Sequence, residues 1–114
     1  MAEVIHMSKT KGDMELESIA EEICNEIGAE LITKEVVNLG EDKKAVMIAF
    51  EEYFFRISQY VSLNMMLTDD GNEQTAVVIG SGGGSGLSNI SWGANKSFAK
   101  QGISVLEKLG FVEN

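Results

Sequence analysis

The groups of this chain that could do chemistry lie in four places. The most conspicuous is the run Gly80, Ser81, Gly82, Gly83, Gly84, Ser85 and Gly86. Glycines let successive backbone N–H groups converge on one point, which is how nests and phosphate loops hold anions. No lysine-hydroxyl pair follows Gly86, so the run is not a P-loop. It also precedes a C-terminal helix instead of opening an early βαβ unit, unlike a dinucleotide fingerprint. Glycine strings serve equally as connections or as points of close backbone approach. Trp92 follows, between Ser91 and Gly93. A lone tryptophan at a loop–helix junction is ordinarily a packing anchor, and here it could instead stack on a ligand held by the glycines. Gly80 to Gly86 with Trp92 are the candidate ligand-binding residues, for a small anion or metabolite.

The other three places promise less. His6 is the only histidine, with no cysteine near it and no carboxylate at metal spacing, so no metal site is expected. Cys24, the single cysteine, falls in a helical apolar stripe where a buried thiol is inert. Glu51 and Glu52 adjoin Tyr53, Phe54 and Phe55. A carboxylate buried among rings could act as a general acid, but solvation or cross-strand pairing is the plainer reading. With one histidine no Ser-His-Asp set can be assembled. No catalytic residue and no cofactor is assigned.

Bulk properties narrow the class. The 114 residues suit one domain spanning the chain, able to bury a core without disulfide or metal. Apolar content of 44% and charged content of 24% are those of an ordinary globular protein. A net charge of −9 repels phosphate backbones and anionic lipid, so neither nucleic acid nor membrane is expected as a partner. The longest apolar run, Ala45 to Phe50, is far too short to span a bilayer. No signal peptide is visible and one cysteine cannot form an internal disulfide, so a cytoplasmic location is expected.

Apolar periodicity supplies the elements that must position these groups. Glu3 to Ser8 alternates and reads as a strand. Leu16, Ile19, Ala20, Ile23, Cys24 and Ile27 make one stripe of an amphipathic helix from Met14 to Ile27, with Asp13 as N-cap and Gly28 as left-handed C′ residue. Strands are expected at Leu31–Asn38, Lys44–Arg56, Tyr60–Thr68 and Glu73–Ile79, with a bulge near Glu51-Glu52. The last helix is expected from about Asn95 to Leu109, closed by Gly110 with Phe111 packing back on Leu106. The order is β-α-β-β-β-β-α, an α+β fold with a mostly antiparallel curved sheet.

Two finer expectations concern packing. A three-residue loop Asp69-Asp70-Gly71 would place Val61 opposite Ile79, Leu63 opposite Val77 and Met65 opposite Thr75, with Gly71 left-handed. The first helix is acidic, whereas the last carries Lys96, Lys100 and Lys108 against Glu107, so the two should lie side by side on one sheet face. Ala45 to Phe50 is apolar on both faces. It would then need a second cover, which points to a homo-oligomer.

Ile79 to Gly86, followed by Ser91-Trp92-Gly93-Ala94, resembles a family of short bacterial proteins of unknown function, and the Phe55-Arg56 stretch is similar too. The resemblance implies a bacterial cytoplasmic protein and supplies no activity. In architecture alone, the element order is similar to helix-grip and TATA-binding-protein-like folds, which host many functions.

The reading is therefore a binding or protein-interaction domain, self-associating through its sheet, with the glycine run and Trp92 as contact site. The alternative is a small-ligand-binding protein or enzyme with a pocket between sheet and C-terminal helix, using Glu51 or Glu52. A closed cavity holding a carboxylate would favour the second, and a filled core the first.

Overall fold

The computed structural model describes residues 2–55, 58–82 and 92–114, the first four of the last stretch by backbone alone. Its elements are β1 (Glu3–Thr10), α1 (Leu16–Glu26), β2 (Glu30–Asn38), β3 (Lys44–Phe54), β4 (Gln59–Asp69), β5 (Glu73–Gly82), α2 (Trp92–Lys108) and β6 (Val112–Glu113). This is the expected α+β order with a short terminal strand added. The strands form one open antiparallel sheet in the order β2-β3-β4-β5-β1-β6. β2 to β5 run as a meander, while β1 adds beyond β5 and α1 carries the chain back across the sheet.

Alternation decides which side each strand residue faces. Val46, Ile48 and Phe50 of β3, Val61, Leu63, Met65 and Leu67 of β4, and Ala76 and Val78 of β5 all point to one face and are buried. Leu16, Ile19, Ala20 and Ile23 of α1 close over them, together with Phe98, Ala99, Val105 and Leu106 of α2. Both helices thus share one face, as their opposite charges suggested, and Lys108 Nζ lies 3.3 Å from Glu26 Oε1 between them. The sheet also answers the acids of α1: Lys44 reaches Glu17 at 2.7 Å and Lys34 reaches Glu21 at 3.7 Å.

The β4–β5 register differs from the expected three-residue loop. Val61 faces Gly82, Leu63 faces Gly80 and Met65 faces Val78, while Thr68 pairs with Thr75. The ladder continues almost to the hairpin tip, where the Asp70 N–H donates to Glu73 O at 3.2 Å and only Gly71 and Asn72 lie between. Two aspartates make this possible. Asp69 Oδ1 accepts the Gly71 N–H at 2.8 Å, and Asp70 Oδ1 accepts those of Asn72 at 2.9 Å and Glu73 at 2.8 Å. Gly71 is left-handed as expected, at φ 96°. The slip is by an odd number of residues, so it exchanges the faces of β5. Gln74, Ala76, Val78 and Gly80 face the helices, and the β-branched Thr75, Val77 and Ile79 face away. The interior set is the smaller one, and α2 comes close: a Cβ on Gly102 would sit 3.4 Å from Val78 Cγ1 and 3.5 Å from Met65 Sδ.

Other local expectations are also corrected. β3 pairs with β4 without interruption through Glu51 and Glu52, and the bulge lies instead in the edge strand β2, between Leu31 and Thr33. An edge strand has one fewer neighbour to resist the extra residue. Glu15, not Asp13, is the N-cap of α1. Gly28 is not left-handed, because the chain leaves α1 at Ile27 in an extended conformation that leads directly towards β2. The C-terminal end of α2 is as expected: Gly110 has φ 99°, and the Phe111 N–H reaches Leu106 O at 3.0 Å.

Candidate functional site

The face of the sheet opposite the helices is the largest feature with no cover among the described residues. Register places Val37, Ala45, Thr68, Thr75 and Ser8 in one row across it. The next row is Glu35, Met47, Met66, Val77 and His6, and the third is Thr33, Ala49, Asn64, Ile79 and Val4. Met47 is 47% exposed, Met66 46% and Val4 54%. On β3, β4 and β5 these three rows carry no charged side chain, in a chain with 18 acidic residues.

Towards the far end of this face the character changes. Glu30 stands opposite Glu51, Glu51 opposite Ser62, Ser62 opposite Ser81, and Tyr53 opposite Tyr60. Glu51, Tyr60, Val61, Ser62, Ser81 and Gly82 line a shallow hollow of about 290 Å³. Its floor is fixed by Ser62 Oγ, which lies 3.0 Å from Ser81 O and 2.8 Å from Ser81 Oγ. Beside it the Tyr53 ring meets Tyr60 and Phe55, each at a centroid distance of 5.1 Å and each edge to face.

Of the residues singled out in the sequence, Gly80, Ser81 and Gly82 are not loop but the last three positions of β5. The β-ladder with β4 extends through them, since Val61 and Leu63 on the facing strand are bulky and buried. Ser81 turns to the open face and borders the hollow. Gly83, Gly84, Ser85 and Gly86, and Arg56, lie outside the described residues. Trp92 is the first residue of α2 rather than a residue ahead of it; its side chain is outside the description. His6 is an exposed strand residue opposite Val77, and Cys24 is half-buried with its thiol pKa raised by desolvation. The structure adds Tyr53, Tyr60 and Ser62, which sequence reasoning set aside. Their signal was the alternate positions of β3 and β4, readable only as an outward side until the β3–β4 and β4–β5 registers joined them to Ser81.

A second polar cluster lies under the start of α1. Asp69 and Gln74 are buried there, with Gln74 Nε2 donating to Asp69 Oδ2 and to Met14 O, both at 3.1 Å. Lys11 Nζ is 3.3 Å from Asp69 Oδ2. Desolvation alone would raise the Asp69 pKa, but the Gly71 N–H, the Gln74 amide and Lys11 together hold it below the usual range. The hydrogen bond from Lys44 lowers Glu17 and raises Lys44 in turn. These contacts tie the hairpin to α1, although Gln74 Oε1 and Glu17 Oε1 are buried with no hydrogen-bond partner among the described residues. Among the described residues no three His, Cys, Asp or Glu side chains are placed to hold a metal ion. Among them, too, no helix is long and apolar enough to cross a membrane.

The model of a family described as a family of unknown function, DUF6054, matches residues 1–110. No curated protein matches the chain. Among solved structures, the crystal structure of Mll3558 protein from Rhizobium loti aligns at 9% identity, over 93% of this chain and 95% of that one, with a TM-score of 0.33.

Proposed function

Since the chain belongs to DUF6054, a family of unknown function, we propose on physical grounds that it is a small interaction domain that self-associates through the helix-free face of its sheet. The observation that carries this reading is the row Met47, Met66 and Val77, apolar and, among the described residues, without helical cover at the centre of that face. Apolar surface left in water is unfavourable, and contiguous patches of this kind ordinarily mark association sites.

A second copy is the occupant that fits. With a net charge of −9, two copies repel wherever acids face one another. The central rows on β3, β4 and β5 carry none, so approach there is the least opposed. Five strands spaced about 4.8 Å apart, over the roughly six residues that the three rows span, give a face of roughly 480 Å², the size of a small, weaker interface. A standard interface buries about 800 Å² per partner. The core between sheet and helices is packed by Phe50, Leu63, Met65, Val78, Phe98 and Leu106, all at 1% exposure or less, which favours an interaction domain over a ligand-enclosing one. The expected contact residues Ser81 and Trp92 lie on either side of residues 83–91 in the chain, and Ser81 borders the same face. A cytoplasmic setting completes the reading, supported by the single half-buried Cys24, which needs no oxidising compartment.

Sedimentation velocity tests this. The wild-type protein is expected to sediment as a dimer, and Met66→Lys to sediment as a monomer with an unchanged circular dichroism spectrum. A wild-type monomer at every concentration, or a Met66→Lys dimer, overturns the proposal.

A further inference from the structure

We infer that the Tyr53–Tyr60 end of the open face is a binding site for a small organic cation of the quaternary-ammonium class. This goes beyond self-association, because Glu51 lies four residues along β3 from the central Met47, about 13 Å away.

Three independent features meet there. The first is aromatic: Tyr53, Tyr60 and Phe55 are 38%, 55% and 86% exposed and lie together at one end of the face. Tyr53 lies at 82° to Phe55 and 69° to Tyr60. The rings therefore do not stack flat, and more than half of the Tyr60 and Phe55 surface stays open to solvent. The negative face of an aromatic ring attracts a cation, and a poorly hydrated quaternary ammonium most readily.

The second feature is charge. Glu30 faces Glu51 directly across β2 and β3 on the same side of the sheet. Like charges in directly opposed positions destabilise a strand pair. A cation beside Glu51 removes that repulsion, so the unfavourable arrangement becomes an attraction once the site is filled. The acidity of the whole chain adds a field of the same sign.

The third is shape. The hollow of about 290 Å³ bordered by Glu51 and Tyr60 is of a size for a few heavy atoms. Its Ser62 and Ser81 hydroxyls are engaged with each other and with the Ser81 carbonyl, so they form a fixed polar floor and carry no net charge. An anion would meet Glu51 and Glu30, and among the described residues that line the hollow none is basic. The site thus favours the opposite charge from the one a glycine nest would take.

The test is a titration of the isotopically labelled full chain with tetramethylammonium chloride, followed by amide chemical-shift changes, with sodium chloride at equal concentration as control. Saturable shifts confined to residues near Glu51, Tyr60 and Ser81 are expected with tetramethylammonium and not with sodium. Glu51→Gln and Tyr60→Ser should each weaken binding about three- to five-fold, while Tyr60→Phe keeps it. Both positions are partly exposed, so the variants should fold, and unchanged spectra elsewhere would verify it. The Met66→Lys variant should bind as the wild type does, which separates this site from the dimer. Equal shifts with sodium, no saturation, or full binding by Tyr60→Ser overturns the inference.

Discussion

Gln74 and Asp69 face each other across the β4–β5 hairpin, buried, with Gln74 Nε2 donating to Asp69 Oδ2 at 3.1 Å. The pair links the hairpin to the start of α1 through Met14 O, and Lys11 completes it. Burial works against the ionised carboxylate, yet the Gly71 N–H, Gln74 and Lys11 keep the Asp69 pKa low.

A pH dependence follows from that direction. A carboxylate whose pKa is lower folded than unfolded contributes stability above its unfolded pKa, and loses it as pH falls through the folded one. Asp70 is lowered by the Glu73 and Asn72 N–H groups and Glu17 by Lys44, so they act with the same sign. Denaturant midpoints should be flat around neutrality and decline below about pH 4. Asp69→Asn should lower stability at pH 7 by about 1–3 kcal/mol and shallow the decline. Urea titrations of both proteins across that range would measure it.

Gly102 marks where α2 lies nearest the sheet. A Cβ there would meet Val78 Cγ1 at 3.4 Å, Met65 Sδ at 3.5 Å and Leu63 Cδ2 at 3.6 Å, which is close contact without overlap. Gly102→Ala should therefore stabilise the protein by about 0.5–1 kcal/mol through helix propensity. Gly102→Leu should destabilise it by about 1–3 kcal/mol through overpacking. Opposite shifts of the thermal midpoint in the two variants would establish the close approach.

At the hairpin tip, Gly71 holds φ 96°, and the nearest atom to an added Cβ is Asp42 Cβ at 3.6 Å. Space is adequate, so the penalty is conformational. Gly71→Ala should cost about 1–2 kcal/mol in chemical denaturation, leaving the spectrum of the folded state unchanged.

Cys24 offers a reactivity test. Desolvation raises its pKa, so little thiolate exists near neutrality. Its reaction with a disulfide reagent at pH 7 should be several-fold slower than that of a free thiol, and should reach the free rate in denaturant.

Much of the architecture was legible because it depends on residues near one another in the chain. The stripe from Leu16 to Ile23 identified α1, and the alternation of Val61, Leu63, Met65 and Leu67 identified both β4 and its inward side. Gly110 and Phe111 announced the end of α2. Legibility failed where a local signal had several solutions of similar energy. Asp69, Asp70 and Gly71 fit more than one turn, and the one adopted depends on which aspartate captures which N–H. That choice decided which side of β5 meets the helices. The glycine run read as a loop because glycine has little strand preference of its own; Gly80 to Gly82 are strand because β4 lies beside them.

The sequence by itself determined the number and type of elements, since side-chain spacing along one segment sets which surface that segment must bury. The opposite charges of the two helices already pointed to one shared side, but tertiary structure alone decided which side of β5 meets them and that Glu51, Tyr60, Ser62 and Ser81 come to border one hollow. Those residues are joined by strand register, a relation between distant segments set by hairpin geometry and by the fit of α2 against β4 and β5.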